Sequence, residues 1–223
     1  MTVAEEGRVP GRCLRTRPST VGPSNSAPLH PSSEAEGLSY DIATNIRTAA
    51  THDLTVDEVT TIRALLLGAF EDDEHGGFTE DDWQHSIGGT HFVAEEEGRI
   101  VGHASVVERD IHVGGRSLRT GYVEAVAADP AQQRRGIGTA LMGHVNEHIR
   151  ARYELGALGT GSQAFYERLG WEIWRGPSSV RTDHDDEPTA DEDGYILVLR
   201  THSTLELDLD APISCEWRPG DVW

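Results

Sequence analysis

The chain has 223 residues and a formal charge of −19, set by 38 acidic residues against 19 cations, every one of them arginine. A field of that sign repels phosphate backbones and attracts cations, so it argues against nucleic acid as a partner and leaves either plain solubility or a cationic ligand as its purpose. With only Cys13 and Cys215 there is no disulfide framework, no apolar run nears the ~20 residues of a membrane span, and no secretory core is visible. A cytoplasmic protein without membrane contact is expected.

Residues 1 to about 44, with "RPSTVGPSNSAPLHPSSEAEG", are rich in Pro, Ser and Gly without apolar period, and read as a disordered extension. Residues 45–223 are expected to form a single domain. "NIRTAATHDL" reads as a first strand, followed by a helix over "TVDEVTTIRALLLGAF" that Thr55 and Glu58 open as a capping box. Val56, Val59, Ile62, Leu65, Leu66 and Phe70 keep a helical period, which predicts one buried stripe. The acidic "EDDEHGG" breaks that helix before a shorter one near "TEDDWQHSI". Then come three strands in a meander, over "THFVAEE", "RIVGHASVVERDIHV" and "SLRTGYVEAVAA".

A long helix follows, carrying Ile137, Leu141, Val145 and Ile149. "YELGAL" reads as a strand, "SQAFYERLG" as a short helix, "WEIW" as a strand, "TDHDDEPTADEDG" as an acidic loop, and "YILVLR" and "ISCEW" as closing extended pieces. Strands interleaved with helices and hairpins predict an α/β fold, a mixed and mostly antiparallel central sheet with helices on both faces.

The chemistry-bearing stretch is "DPAQQRRGIGTAL", between a strand and the long helix. Gly136 and Gly138 let the backbone come close to a ligand and aim consecutive N–H groups at it from a helix N-terminus, which is an anion site. Arg134 and Arg135 add cations, so a phosphate-bearing cofactor is the expected occupant. His144 and His148 sit at H-x-x-E-H spacing, which inverted zinc peptidases use, but both fall on the stripe of Ile137, Leu141 and Val145 that faces the sheet. They read as packed histidines, and no metal is expected.

Gln133, Gly136 and Gly138, as Gln-x-x-Gly-x-Gly between strand and helix, resemble the acetyl-coenzyme A loop of the GNAT superfamily of N-acetyltransferases. "GYVEAVA", "YELGAL", "YERLGW", "GPSSV", "DEDG" and "CEWRPGDVW" are similar, in order and spacing, to the aminoglycoside 2'-N-acetyltransferases within it. The resemblance implies the GNAT fold, acetyl-CoA as acetyl donor held by Val126, Gln133, Arg134, Arg135, Gly136, Ile137, Gly138 and Thr139, and direct transfer to an amine of an aminoglycoside. It further implies Glu124 as a base acting through water, Tyr166 as acid toward the coenzyme A sulfur, and the N–H of Val126 polarising the thioester carbonyl.

For the polycationic sugar it implies Asp82, Glu124, Glu192, Asp221 and Trp223, with the Trp223 indole packed so that its carboxylate and Asp221 face ammonium groups. Gly77 stands where that family has Asp before "FTE", Glu192 where it can have Asp, and Gly159 to Ser162 is shorter and richer in Gly. These departures bear on substrate range. A GNAT acting on another cationic amine, such as a polyamine or amino sugar, and a non-catalytic module sensing acyl-CoA are the alternatives, and a homodimer is left open.

Overall fold

A computed structural model describes residues 44–71, 77–132 and 134–223. The expected N-terminal extension, most of the acidic break after the first helix, Cys13 and Gln133 lie outside these residues. The ten strands among the described residues belong to one sheet. Strand β1 (Asn45–Ala50) leads through a short 3-10 turn to helix α1 (Val56–Ala69), which does open on a capping box of Thr55 and Glu58. Helix α2 (Glu80–Ser86) repeats the device with Thr79 and Asp82. The meander is β2 (Thr90–Glu96), β3 (Arg99–Val113) and β4 (Arg116–Ala128), each antiparallel to the next.

Helix α3 (Ile137–Arg152) then crosses back so that β5 (Leu155–Gly159) runs parallel to β4. After α4 (Gln163–Glu167) come β6 (Glu172–Ile173), β7 (Ser178–Arg181), β8 (Asp186–Pro188), β9 (Ile196–Arg200) and β10 (Ile213–Glu216). The path across the sheet is β6-β9-β5-β4-β3-β10-β7-β8, with β1 and β2 continuing from the other half of the long β3.

Alternation along the strands puts helices on both faces. Phe92 and Ala94 of β2 pack with Ile137, Leu141, Val145 and Ile149 of α3, while Val93, between them in sequence, packs with Ile62, Leu66 and Trp83 of α1 and α2. Gly102 makes the α3 contact close: a Cβ there would lie 2.9 Å from both Ile137 and Leu141. A third cluster under the C-terminal segment joins Tyr122, Trp174, Val180, Ile213, Cys215, Val222 and Trp223.

Three expectations are corrected. Val56 does not belong to the buried stripe; it is the first residue of α1 and 81% exposed. His144 is exposed rather than packed, because it lies about 100° round the helix from the middle of the buried face. His148 is partly buried, its ring edge-on to Phe92. The region around the expected acidic loop holds the antiparallel β7–β8 pair and a 3-10 turn over Ala190–Glu192, and β7 also lies parallel to β10.

Candidate active site

The site begins where β4 and β5 part. Their parallel ladder runs only over Thr120↔Leu155, Gly121↔Gly156 and Tyr122↔Ala157. Just beyond it β4 carries a bulge: Ser105 opposes Glu124 while His103 opposes Ala127, so β4 has one residue more than β3 across this interval. Ala125 supplies the bend with φ of 52°, left-handed backbone that an alanine rarely adopts and that costs about 1 to 2 kcal/mol. A bulge next to a parting of strands re-aims its side chains and amides, here those of Glu124, Ala125 and Val126.

A pocket opens at this point, lined by Phe70 and Phe78, Asp82 and His85 of α2, Tyr122 to Ala125 of β4, Gly159 of β5, and Arg218, Asp221 and Trp223 of the C-terminal segment. Of the residues expected to bind a cation, Asp82, Glu124, Asp221 and Trp223 therefore come together. Asp82 is buried and its Oδ2 accepts from Thr79 N and Thr79 Oγ1, both at 2.6 Å, so the capping box that starts α2 also fixes this carboxylate. Glu192 is buried in its 3-10 turn and does not line the pocket, nor does Tyr166. Tyr166 packs against Phe165 and Trp171 in the core beneath α3.

The C-terminal segment is tied down along its length. Trp223 is 3% exposed and donates Nε1–H to Thr189 Oγ1 at 2.9 Å. The carbonyl of Val222 accepts from Arg109 Nη1 at 2.7 Å, and Arg109 also holds Glu216 through Nε at 2.9 Å. That buried guanidinium lies 4.7 Å from the Tyr122 ring centroid, so β3, β4, β10 and the segment after it share one cation. Burial pushes the neighbouring Cys215 thiol up to about 11, which keeps it protonated and inert.

Among the pocket residues that sequence reasoning missed are Arg218 and His85. Arg218 donates from Nη1 to Glu124 Oε1 at 2.6 Å and from Nε to the Asp221 carbonyl at 2.7 Å. The expected lining of carboxylates and carbonyls thus contains a guanidinium as well, and both partners of the Arg218–Glu124 pair are largely buried. His85 Nε2 lies 2.7 Å from the Pro219 carbonyl, which can only accept, so this nitrogen carries the hydrogen. Burial, helped by Arg218, holds His85 below its ordinary value, and it is neutral near pH 7.

The glycine loop stands on the α3 side of the same parting. Gly136 is the N-cap of α3, with φ of 87° and no side-chain cap, and Arg134 has φ of 66°. First-turn amides without a side-chain partner, next to left-handed residues, form a concave donor set that suits a phosphate. A Cβ on Gly138 would lie 3.4 Å from the Phe165 ring of α4, an ordinary van der Waals contact. Ile137 is core, packed in one cluster with Val126, whereas Thr139 is exposed. Arg134 is exposed, and Arg135 is held by Glu96 Oε2 at 2.9 Å and by Gln132.

Among the described residues no cluster of His, Cys, Asp and Glu could hold a metal ion, and no helix is long and apolar enough to cross a membrane. Residues 50–174 match the family model described as "Acetyltransferase (GNAT) domain". An aminoglycoside 2'-N-acetyltransferase of Mycolicibacterium fortuitum is 37% identical over 186 residues, spanning 79% of this chain and 91% of that protein. Similar folds include a GNAT N-acetyltransferase of Escherichia coli solved with CoA (TM-score 0.57, 18% identity, 83% of this chain and 93% of that one). Another is an acyl-CoA N-acyltransferase of Pseudomonas aeruginosa (TM-score 0.51, 16% identity, 70% of this chain and 99% of that one). Matched over more than half its length by the family model and over most of it by the mycobacterial relative, with the α/β sheet expected of it, the chain belongs to the GNAT family of acetyltransferases.

Proposed function

We propose that this enzyme transfers the acetyl group of acetyl-CoA to an amino group of an aminoglycoside, the 2'-amine by analogy with its relative, in a ternary complex without a covalent enzyme intermediate. The observation that carries the reading is the pocket at the β4–β5 parting, where Asp82, Glu124 and Asp221 converge beside the bulge. Three carboxylates in one cleft suit a polycation, and the relative at 37% identity acts on that class. Acetyl-CoA, when bound, supplies a thioester-activated acetyl group, and the uncapped start of α3 at Gly136 and Gly138 has the donor set to hold its phosphates.

The chain's own residues then have separable tasks. Asp82 and Asp221 hold ammonium groups, and the buried Trp223 fixes the segment that carries Asp221. Glu124 accepts the proton that the reacting nitrogen sheds, through water, since an ammonium has no lone pair to attack with. Tyr166 lies outside the pocket lining but packs on Phe165, which neighbours Gly138 of the glycine loop, and it is assigned the leaving-group proton by resemblance to the family. The Val126 N–H offers a fixed dipole to the acyl oxygen. Arg218 occupies Glu124 at 2.6 Å, so an incoming cation competes with it for that carboxylate.

Acetyl-CoA turnover against a panel of aminoglycosides, polyamines and amino sugars, with the acetylated nitrogen located by NMR, tests this. Aminoglycosides modified at the 2'-amine are expected; turnover confined to polyamines or simple amino sugars would overturn the substrate assignment, and binding of acetyl-CoA without any turnover would leave a sensing module.

A further inference from the structure

Behind the bulge lies a row of polar groups that the transfer steps above do not use. His91 of β2 and His103 of β3 are both 0% exposed, with ring centroids 5.2 Å apart and the Trp83 ring of α2 lying 6.1 and 6.4 Å from them. His103 Nδ1 is 2.8 Å from the carbonyl oxygen of Ala125, His91 Nδ1 is 2.9 Å from His103 Nε2, and Thr51 Oγ1 is 2.8 Å from His91 Nε2.

The proton positions along this row are forced by its end. A backbone carbonyl only accepts, so His103 carries its hydrogen on Nδ1; the ring being neutral, its Nε2 accepts. His91 must then donate from Nδ1 and accept at Nε2 from the Thr51 hydroxyl. Thr51 Oγ1 in turn accepts the Gly88 N–H at 2.9 Å. One direction satisfies every member, from Gly88 through to Ala125. Burial keeps both rings neutral, His91 down to about 4 and His103 to about 3, and the one ionisable neighbour that acts on His103 is His91 itself.

The row terminates on the bulge residue. The Ala125 carbonyl and the Val126 N–H belong to one planar trans peptide, and they point in opposite directions. A hydrogen bond accepted by that carbonyl therefore fixes the plane of the Val126 amide, and by polarising the unit strengthens the N–H as a donor. It also supports the left-handed φ of 52° at Ala125, which nothing in an alanine favours.

We propose that His103 and His91 are positioning residues for acetyl transfer: His103, its tautomer set by His91 and Thr51, locks the Ala125–Val126 peptide so that the Val126 N–H faces the acyl oxygen and Glu124 faces the pocket. This rests on the roles given above to Glu124 and Val126.

Nitrogen NMR on the full chain tests the geometry without any ligand. Both rings should be neutral Nδ1–H tautomers with no titration between about pH 5 and 8, and an Nε2–H tautomer in either ring overturns the proposal. His103→Phe keeps the volume and removes the donor. It should lower kcat on the order of tenfold, with both KM values within about twofold, and move the Val126 amide resonance. His103→Asn sets an amide N–H near the old Nδ1 position and should recover most of kcat and the Val126 resonance. Its smaller side chain leaves a cavity, so thermal stability stays low.

If His103→Phe does not fold, His91→Leu, one link away, carries the same test with a smaller expected loss. Wild-type kcat in His103→Phe, or recovery in His103→Asn of stability but not of kcat, reduces the pair to packing and overturns the role. Turnover is read with whichever amine the panel accepts, so failure of aminoglycosides alone leaves this proposal standing. A wild-type chain that acetylates no amine, with tautomers as expected, overturns the transfer reading and this role with it.

Discussion

Single side chains decide the chemistry at the β4 bulge. Glu124 is a partly buried carboxylate bonded to Arg218, so removing its charge strands a guanidinium as well as a base. Glu124→Gln should lower kcat by roughly 10² to 10⁴, the usual range for a general base, with a smaller effect on acetyl-CoA affinity. Steady-state kinetics beside calorimetry separates the two. Tyr166→Phe should lower kcat with acetyl-CoA affinity unchanged. Wild-type rates in both variants would leave water alone to carry the protons.

Elements matter by what they hold still. Residues 221 to 223 carry Asp221 and the buried Trp223, anchored on Thr189. Their deletion should weaken aminoglycoside binding on the order of a hundredfold, as lost charge-assisted contacts worth about 1.5 to 3 kcal/mol each would give, and leave acetyl-CoA binding nearly untouched. Trp223→Ala should fall between, because Asp221 remains while its anchor goes. At the other side of the cleft, Gly138→Val should abolish acetyl-CoA binding in calorimetry. Circular dichroism should keep the native spectrum, since a Cβ there meets the Phe165 ring only at an ordinary contact distance of 3.4 Å.

Legibility divides along the same lines. The cap at Thr55, the meander, the α3 stripe and the glycine loop were readable because each is written in consecutive residues with a period or a spacing. The β7–β8 pair was not: its Ser, Asp, Glu and Pro residues carry no apolar alternation, and the strands form because β10 offers β7 a parallel neighbour. Arg218 was equally out of reach. It meets Glu124 across 94 residues of sequence, and only the path β4-β3-β10 brings the segment after β10 over the bulge.

At the scale of the whole molecule the buried histidines set the acid limit. His91 and His103 titrate at about 4 and about 3 in the fold, against 6.5 for an unperturbed ring, so the unfolded chain binds more protons than the fold between those values. The stability they contribute is complete above about pH 6.5 and is lost as pH falls toward 4. Carboxylates held low by hydrogen bonds and arginines, such as Glu58, Glu96 and Asp110, add their loss only below their ordinary range near 4. Melting temperature should therefore begin to fall below pH 6.5, and His103→Phe should shrink the decline between 6.5 and 4.5. A flat profile over that interval in the wild type would show that the rings charge without penalty.

The arginines that make the ion pairs of this fold, from Arg47 to Arg218, have a consequence of a different kind. A thioester donor acylates any accessible unprotonated amine, slowly and without a catalyst, and lysine side chains are its ordinary casualties. This chain has none. Guanidinium groups stay protonated at any pH the fold survives and are poor nucleophiles, so Glu124, Glu216 and Glu96 keep their partners however long the protein is bathed in its own reagent. After prolonged incubation with excess acetyl-CoA at mildly alkaline pH, mass spectrometry of the chain and its peptides should find acetylation at the α-amino group at most and none on the arginines. The cations that build the cleft are beyond the reach of the chemistry performed in it.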